Sequence, residues 1–413
     1  MRLNSTKHIR EEEDNVNPFL LNGAMFAFML LITLLITLSP FRYVLPAHFS
    51  VPTYFRWKEA IENILFFLPL GYTFVAMRDA SQKRWLVPVI AAGLFMSGLI
   101  ELNQAYIPGR YPSVADVMEN TLGALAGGAI HRLFRHSAMA NRLGLALEIP
   151  LANLLLLLIP LCWIDTMANG NELNRLWLLF LLLTIGGLLQ LQIFIYYKPL
   201  RNHFSFGRFW MFGSGWYMLA GLPASLIFPV RMLSLFAVYW LILFSVYYLA
   251  RKRAPGGQRF EHRALWQIAP LFVIYLIRSA YGSFVLPGDS FKLVYLPDYV
   301  NVSNSLTAIF RHLEILTAST LIGYMAAQIL NRSNLTLFRL SMILMINAIF
   351  LIGIHGLHPG FRASVTTGFL IYFCGLFGAL IYQLQLHYFK WIKYQLGRDD
   401  KVFTLSGIQQ PDN

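Results

Sequence analysis

The sequence predicts an all-α, polytopic membrane helix bundle of about 12 transmembrane helices with both termini in the cytoplasm. Three observations carry that prediction. First, 57% of the 413 residues are hydrophobic and only 13% are charged, where a soluble domain carries about a quarter charged residues. Second, apolar runs of the roughly 17–25 residues needed to cross hydrocarbon recur along the whole chain. Third, the lysines and arginines collect in alternate short loops between those runs, which is a topology signal. The formal net charge of +13 is therefore spread over loops and forms no nucleic-acid patch.

The runs lie at approximately 20–39, 61–77, 85–104, 114–131, 144–164, 174–196, 209–228, 230–250, 264–286, 309–330, 335–355 and 364–388. The N-terminus, with four acids before the first run and no small-residue cleavage site, reads as preceding an uncleaved first span. With it inside, alternate loops on the cytoplasmic side hold 23 of the 33 basic residues. Arg278 falls inside a span, and nine basic residues lie on the outer side. Basic residues stay cytoplasmic, so this imbalance sets the direction of every helix. Pro69 and Pro88 are expected to kink their helices.

Cys162 and Cys374 both sit in apolar runs and imply neither a disulfide framework nor a thiolate metal site. No phosphate-binding Gly-rich loop and no ATPase-sized soluble region occurs, which excludes primary ATP-driven transport by this chain alone. Gly-x-Ser-x-Gly and His-Glu-x-x-His are absent too. His355 and His358 have a metal-like spacing without a carboxylate or cysteine to complete it, so no metal and no cofactor is expected.

One stretch departs from the lipid-like composition: ELNQAYIPGRYPSVADVMENTLGALAGG at 101–128. In the predicted topology the third helix ends near Glu101 and Gln104 at the outer surface. The turn from Tyr106 to Pro112 carries Arg110, and the fourth helix returns from Ser113, a good N-cap with Asp116 at the third helical position. Glu62 and Asn63 open the second helix at the same end. Asp116 and Asn120 share a face one turn apart, as do Glu101 and Gln104. Arg110 can pair with a carboxylate or with a ligand's phosphate or carboxylate. Glu101 and Asp116 are the candidates for a general acid or base. The candidate ligand-binding set is therefore Glu62, Asn63, Glu101, Gln104, Arg110, Asp116 and Asn120. Intramembrane acids of this kind mark functional sites by default, yet the same network also suits the fastening of helices two, three and four. Gly123 and Gly127 continue the Asp116 stripe as a Gly-x-x-x-Gly on which another helix can pack closely. Arg278, inside the ninth run, is expected to snorkel or to form a packing salt bridge, with Glu314 as its candidate partner.

A faint internal duplication runs through the chain. Glu62, Gly71 and Tyr72 correspond to Glu314, Gly323 and Tyr324 at an offset of 252, and Pro108, Ser113 and Gly127 to Pro359, Ser364 and Gly378 at 251. Both copies begin with an outward helix, so the four-helix repeats are parallel. Glu101, Gln104, Arg110, Asp116 and Asn120 become Ile352, His355, Phe361, Thr367 and Ile371, so the first copy alone is expected to keep the chemistry. The implied organisation is a tail at 1–19, a first membrane domain at 20–135, a middle four-helix block at 136–263, a degenerate repeat at 264–388 and a tail at 389–413.

The segments Glu62-Asn63 through Pro69 to Gly71, Glu101-x-x-Gln104, and Arg110 followed by Asp116-x-x-x-Asn120-Thr-x-Gly123-x-x-x-Gly127 resemble the VanZ-like family over about residues 20–135. That resemblance implies a multi-pass protein of the bacterial inner membrane with a role in the cell envelope or in glycopeptide antibiotic resistance, the founding member being associated with teicoplanin. The family carries no established chemistry, so no catalytic role transfers. Three functions fit the residues. The first is an outer-leaflet site for an amphiphile, such as a membrane lipid headgroup, a lipid-linked envelope precursor or a lipoglycopeptide. The second is an enzyme acting on a lipid carrier, and the third a transporter or flippase, whose polar path the charge-poor inner helix halves do not supply. The topology is checked with Tyr111→Cys: an impermeant maleimide added outside intact cells is expected to label residue 111, and labelling only after lysis would invert the assignment.

Overall fold

The computed structural model describes residues 18–38, 43–45, 57–78, 84–136, 150–169, 175–196, 205–251, 260–281, 293–295, 306–330, 337–357 and 363–397. These residues are overwhelmingly helical. In chain order the helices are α1 (Pro18–Leu38), α2 (Trp57–Met77), α3 (Leu86–Gln104), α4 (Val114–His136), α5 (Pro150–Asn169), α6 (Leu176–Tyr196), α7 (Phe206–Ala220), α8 (Leu222–Ile227), α9 (Pro229–Arg251), α10 (Phe260–Tyr281), α11 (Leu306–Leu330), α12 (Leu337–Leu357) and α13 (Val365–Gly397). Two short strands, β1 (Leu293–Val294) and β2 (Ala363–Ser364), pair in parallel. Among the described residues each expected apolar run forms helix, and nine helices are long and apolar enough to cross a membrane. The run at 209–228 is broken at Gly221, because Pro223 starts a new short helix there and Pro229 starts α9. Residues 1–17 and 398–413 of the expected tails, and His358 of the metal-like pair, lie outside the described residues, while 389–397 continue α13 as helix.

The bundle is apolar outward as well as inward. On α9, Val230, Leu233, Leu241 and Leu249 are 80, 70, 69 and 63% exposed. Large aliphatic side chains left uncovered along a whole helix suit a hydrocarbon solvent and would be a liability in water. The chain is a multi-pass, membrane-type helical bundle.

By internal contacts the chain divides into two compact units, one within Met1–Leu145 with Leu384–Phe403 and the other within Ala146–Gln383 with Thr404–Asn413. In the first unit, α2 and α4 touch backbone to backbone. A Cβ on Gly71 would lie 1.9 Å from the Ala124 carbonyl oxygen, one on Gly123 2.2 Å from that of Ile64, and one on Gly127 2.0 Å from that of Leu68. Such an approach brings carbonyls within reach of Cα–H groups and buries the helix faces against each other without side chains between them. Pro69 sits inside α2, which continues through it, and the Thr73 hydroxyl donates to the Pro69 carbonyl at 2.8 Å. Pro88 differs from expectation. It occupies the first turn of α3, where its missing N–H has no helical partner to lose, so it fits without a kink.

The same contacts recur in the second unit. A Cβ on Gly323 would meet the Gly375 carbonyl at 1.8 Å, and one on Gly378 that of Thr320 at 1.8 Å. Tyr72 meets His131 edge-on at 5.0 Å between centroids, and Tyr324 meets Tyr382 in the same way at 5.5 Å. Asp116 N–H donates to Ser113 Oγ at 3.3 Å, and Thr367 N–H to Ser364 Oγ at 3.3 Å. Each second pair follows the first at the 251–252 offset read from the sequence.

The backbone contact predicts opposite outcomes for two glycines. Gly71→Ala forces its methyl into the Ala124 carbonyl and is expected to cost about 1–3 kcal/mol. Gly98→Ala, on α3 with open space around its Cβ position, is expected to stabilise by up to about 1 kcal/mol. Thermal unfolding of the two variants in detergent reads both signs.

Candidate functional site

Four helices bring their ends together around the 101–128 stretch. After α3, Ala105, Tyr106 and Ile107 N–H groups bond back to Glu101, Asn103 and Gln104 carbonyls, and Arg110 N–H bonds to the Ile107 carbonyl. Gly109 takes φ +80°, a left-handed conformation that only glycine adopts cheaply, so the chain reverses there. Ser113 then starts α4, its hydroxyl accepting from Asp116 N–H as expected. Its own N–H donates to Glu101 Oε2 at 2.8 Å. A 94%-buried carboxylate thus ties the end of α3 to the start of α4, the acid being stabilised by the positive end of the α4 dipole.

The remaining residues build two further cross-links. Asn63 Nδ2 donates to Glu119 Oε2 at 2.8 Å, joining α2 to α4, with the Asp116 carboxylate beside the same amide. Asn120 Nδ2 donates to Ser97 Oγ at 2.8 Å, joining α4 to α3 in the buried interior. Gln104 Nε2 donates to the Thr37 carbonyl at 3.1 Å and brings in the end of α1. Glu101, Asp116 and Glu119 are close enough for their charges to interact, and the exposed Arg110 is the cation that acts on Glu101. Glu62 sits half-buried one residue before Asn63. The structure therefore gathers Asn63, Glu101, Arg110 and Asp116 into one region, sets Asn120 one turn deeper on Ser97, and turns Gln104 towards α1. Ser97 and Glu119 are the residues that sequence reasoning missed. Both had a visible signal: Ser97 lies one turn before Glu101 on the same face of an apolar helix, and Glu119 lies one turn after Asp116.

Around the second-copy counterparts the same space is filled with hydrocarbon. Ile315, Ala348, Leu351 and Ile371 form one buried cluster, with Ile352 packed against it. These positions correspond to Asn63, Ser97, Ile100, Asn120 and Glu101 at the same offsets.

Charge nevertheless occurs at Glu314, which lies at the same offset from Glu62. Glu314 is fully buried, and Arg175 Nη2 bonds to its Oε1 and Oε2 at 3.2 and 3.1 Å. Tyr275 OH donates to Oε1 at 2.7 Å, and Ser279 Oγ to the same oxygen. Comparison at the 252 offset overlooks this group because Arg175 comes from outside both aligned stretches. Arg278 lies with its guanidinium over the Trp177 ring, 5.9 Å from the centroid. Among the described residues no three of His, Cys, Asp and Glu gather as a metal-binding group.

A helical, multi-pass membrane bundle whose first unit closes one end with acids, amides and an arginine is the class that fold and site define. Residues 6–135, the first third of the chain, match the family model described as VanZ/LLP1. No curated protein and no solved structure matches.

Removing one member of a buried ion pair strands the other, at about 3–5 kcal/mol. Glu314→Leu and Arg175→Met are each expected to lower the melting temperature sharply, while the double variant recovers most of the loss. Calorimetry or nanoscale fluorimetry on the three proteins checks it.

Proposed function

We propose that the first unit binds the polar head of a membrane amphiphile at the outer leaflet of the bacterial inner membrane. The ligand class is a lipid headgroup, a lipid-linked sugar or a lipoglycopeptide, and the role lies in envelope biogenesis or glycopeptide resistance. One observation carries the reading. We take the two four-helix sets as copies, and the copy with Ile315, Ala348, Ile352 and Ile371 packs hydrocarbon where the first has Asn63, Ser97, Glu101 and Asn120. A polar residue in a hydrocarbon-facing bundle costs free energy. Where an apolar residue packs the counterpart equally well, fastening helices does not account for the polar one.

The chemistry of the set fits such a head. Carboxylates and side-chain amides accept and donate to hydroxyl pairs, as on a sugar, and Arg110 supplies a planar, bidentate donor for a phosphate or pyrophosphate. Glu101 is engaged by the Ser113 amide, and the half-buried Asp116, beside the Asn63 amide, is the carboxylate assigned to ligand contact. The exposed apolar side chains Tyr111, Val114 and Met118 flank it at 57, 61 and 62% exposure and offer the acyl chain a wall.

Native mass spectrometry of the purified protein, titrated separately with phosphatidylglycerol, an undecaprenyl-pyrophosphate-linked sugar and teicoplanin, tests the reading. One of the three is expected to bind, and Arg110→Ala and Asp116→Ala are each expected to weaken it at least tenfold, about 1.4 kcal/mol. The folded double variant Ser97→Ala with Asn120→Ile, which installs the residue types of Ala348 and Ile371, controls for packing. Unchanged affinity in both single variants sinks the proposal.

A further inference from the structure

A second polar system, unrelated to the first, runs through the second unit. On α11, Glu314, Thr317, Thr320, Tyr324 and Gln328 are all between 0 and 2% exposed. At 3.6 residues per turn they fall on one stripe about 120° wide, which climbs about 21 Å along the axis from Glu314 to Gln328. That is most of the thickness of a bilayer's hydrocarbon core.

Ionisable groups close both ends. At the first, Glu314 is held by Arg175, Tyr275 and Ser279. The buried Asp165 of α5 lies within charge reach of Arg175 and Tyr275, and Arg278 within reach of Arg175. At the other end, Gln328 Nε2 donates to Glu261 Oε2 of α10 at 3.3 Å. Arg263 lies over the Tyr196 ring on the same helix turn. Between the ends, Tyr324 OH donates to the Pro150 carbonyl at 2.8 Å, and Thr320 Oγ1 to the Leu316 carbonyl at 3.2 Å. Gln328 Oε1 is buried with no protein partner among the described residues.

Buried hydroxyls that bond back to their own helix often serve only as packing. The first unit argues against that here. Its counterpart helix α2 makes the same glycine contact and the same edge-on ring contact. Yet at the positions of Thr317, Thr320 and Gln328 it carries Leu65, Leu68 and Ala76. The packing is achieved without the polar groups, so their presence on α11 needs another cause.

We propose that the second unit conducts protons along α11 between a carboxylate station at Glu314 and another at Glu261. A proton is the cargo that fits, because every station on α11 is closed to solvent and each is a group that can bind or pass a proton. Hydroxyls donate and accept at once, and carboxylates take up and release protons. Successive stations stand three or four residues apart, about 4.5–6 Å of rise, which one bridging water spans with two hydrogen bonds. A proton taken up by the carboxylate on one side is matched by one released from the carboxylate on the other. No electrons move, and the gradient of pH or voltage drives the flow.

The test uses the full chain reconstituted in vesicles of phosphatidylethanolamine and phosphatidylglycerol containing pyranine, with valinomycin imposing a potassium diffusion potential. Proton influx is expected to exceed that of protein-free vesicles at least fivefold. Thr317→Leu with Thr320→Leu and Gln328→Ala, which copies the side chains of α2, is expected to return it to the protein-free rate while leaving the circular dichroism and melting temperature near those of the parent. Glu261→Gln, a half-buried position in the first turn of α10, is expected to cut the flux tenfold and decides the matter if the triple variant does not fold. Parent vesicles no more permeable than lipid alone overturn the proposal, as does undiminished flux in either folded variant.

Discussion

Gly71, Gly123 and Gly127 set the backbones of α2 and α4 against each other with no side chain between them, and the rest of the first unit follows from that contact. Two helices this close cannot interpose a layer of leucines, so the residues just beyond the glycines at the helix ends face one another directly. Asn63 on α2 and Glu119 on α4 are within hydrogen-bond distance for this reason. The third helix then seals the pair, with Ser97 against Asn120 inside and Glu101 against the Ser113 amide at the mouth. A larger residue at any of the glycines would pry the polar groups apart before it touched them.

The two glycine-packed helix sets use one frame for different ends. In the first, polar groups concentrate at one end, where α2, α3 and α4 meet, and the length of α2 behind them carries Leu65 and Leu68. In the second, Ile315, Ala348, Leu351 and Ile371 stand where the first has Asn63, Ser97, Ile100 and Asn120, while Glu314 and the polar residues after it run along α11 in a buried stripe. Each set acts as the packing control for the other. What both retain, the glycines, the capping serines and the edge-on ring pair, is what the frame requires. What only one retains is dispensable for the frame, and in a bundle that favours hydrocarbon at every buried position, dispensable polarity is the informative kind.

The buried Arg175–Glu314 pair shows how such polarity is tolerated. Glu314 receives the guanidinium, the Tyr275 hydroxyl and the Ser279 hydroxyl from three different parts of the chain. Taking a carboxylate out of water is tolerated only with that degree of compensation. The Gly-x-x-x-Gly contact and the buried pair are thus two answers to the same solvent: the first removes side chains so that backbones satisfy each other, the second concentrates donors around one acid.

Much of this was legible in the order of residues. Hydrophobic run length fixed the helices, because in hydrocarbon each backbone group has to be bonded within its own segment. The glycine spacing announced the close approach, and Ser113 with Asp116 announced the start of α4. Glu101 and Asp116 stood out as acids where acids are costly. The pairings did not stand out. Asn63 with Glu119 spans 56 residues and Arg175 with Glu314 spans 139, and nothing local in either member names the other. Arg278 is the closer neighbour of Glu314 in sequence, yet the distant Arg175 bonds both of its carboxylate oxygens. Sequence by itself determined the elements and the chemical groups on offer, since both depend on local composition and period. Tertiary structure alone decided which groups meet, because that depends on how closely and at what rotation whole helices pack, a property no single segment contains.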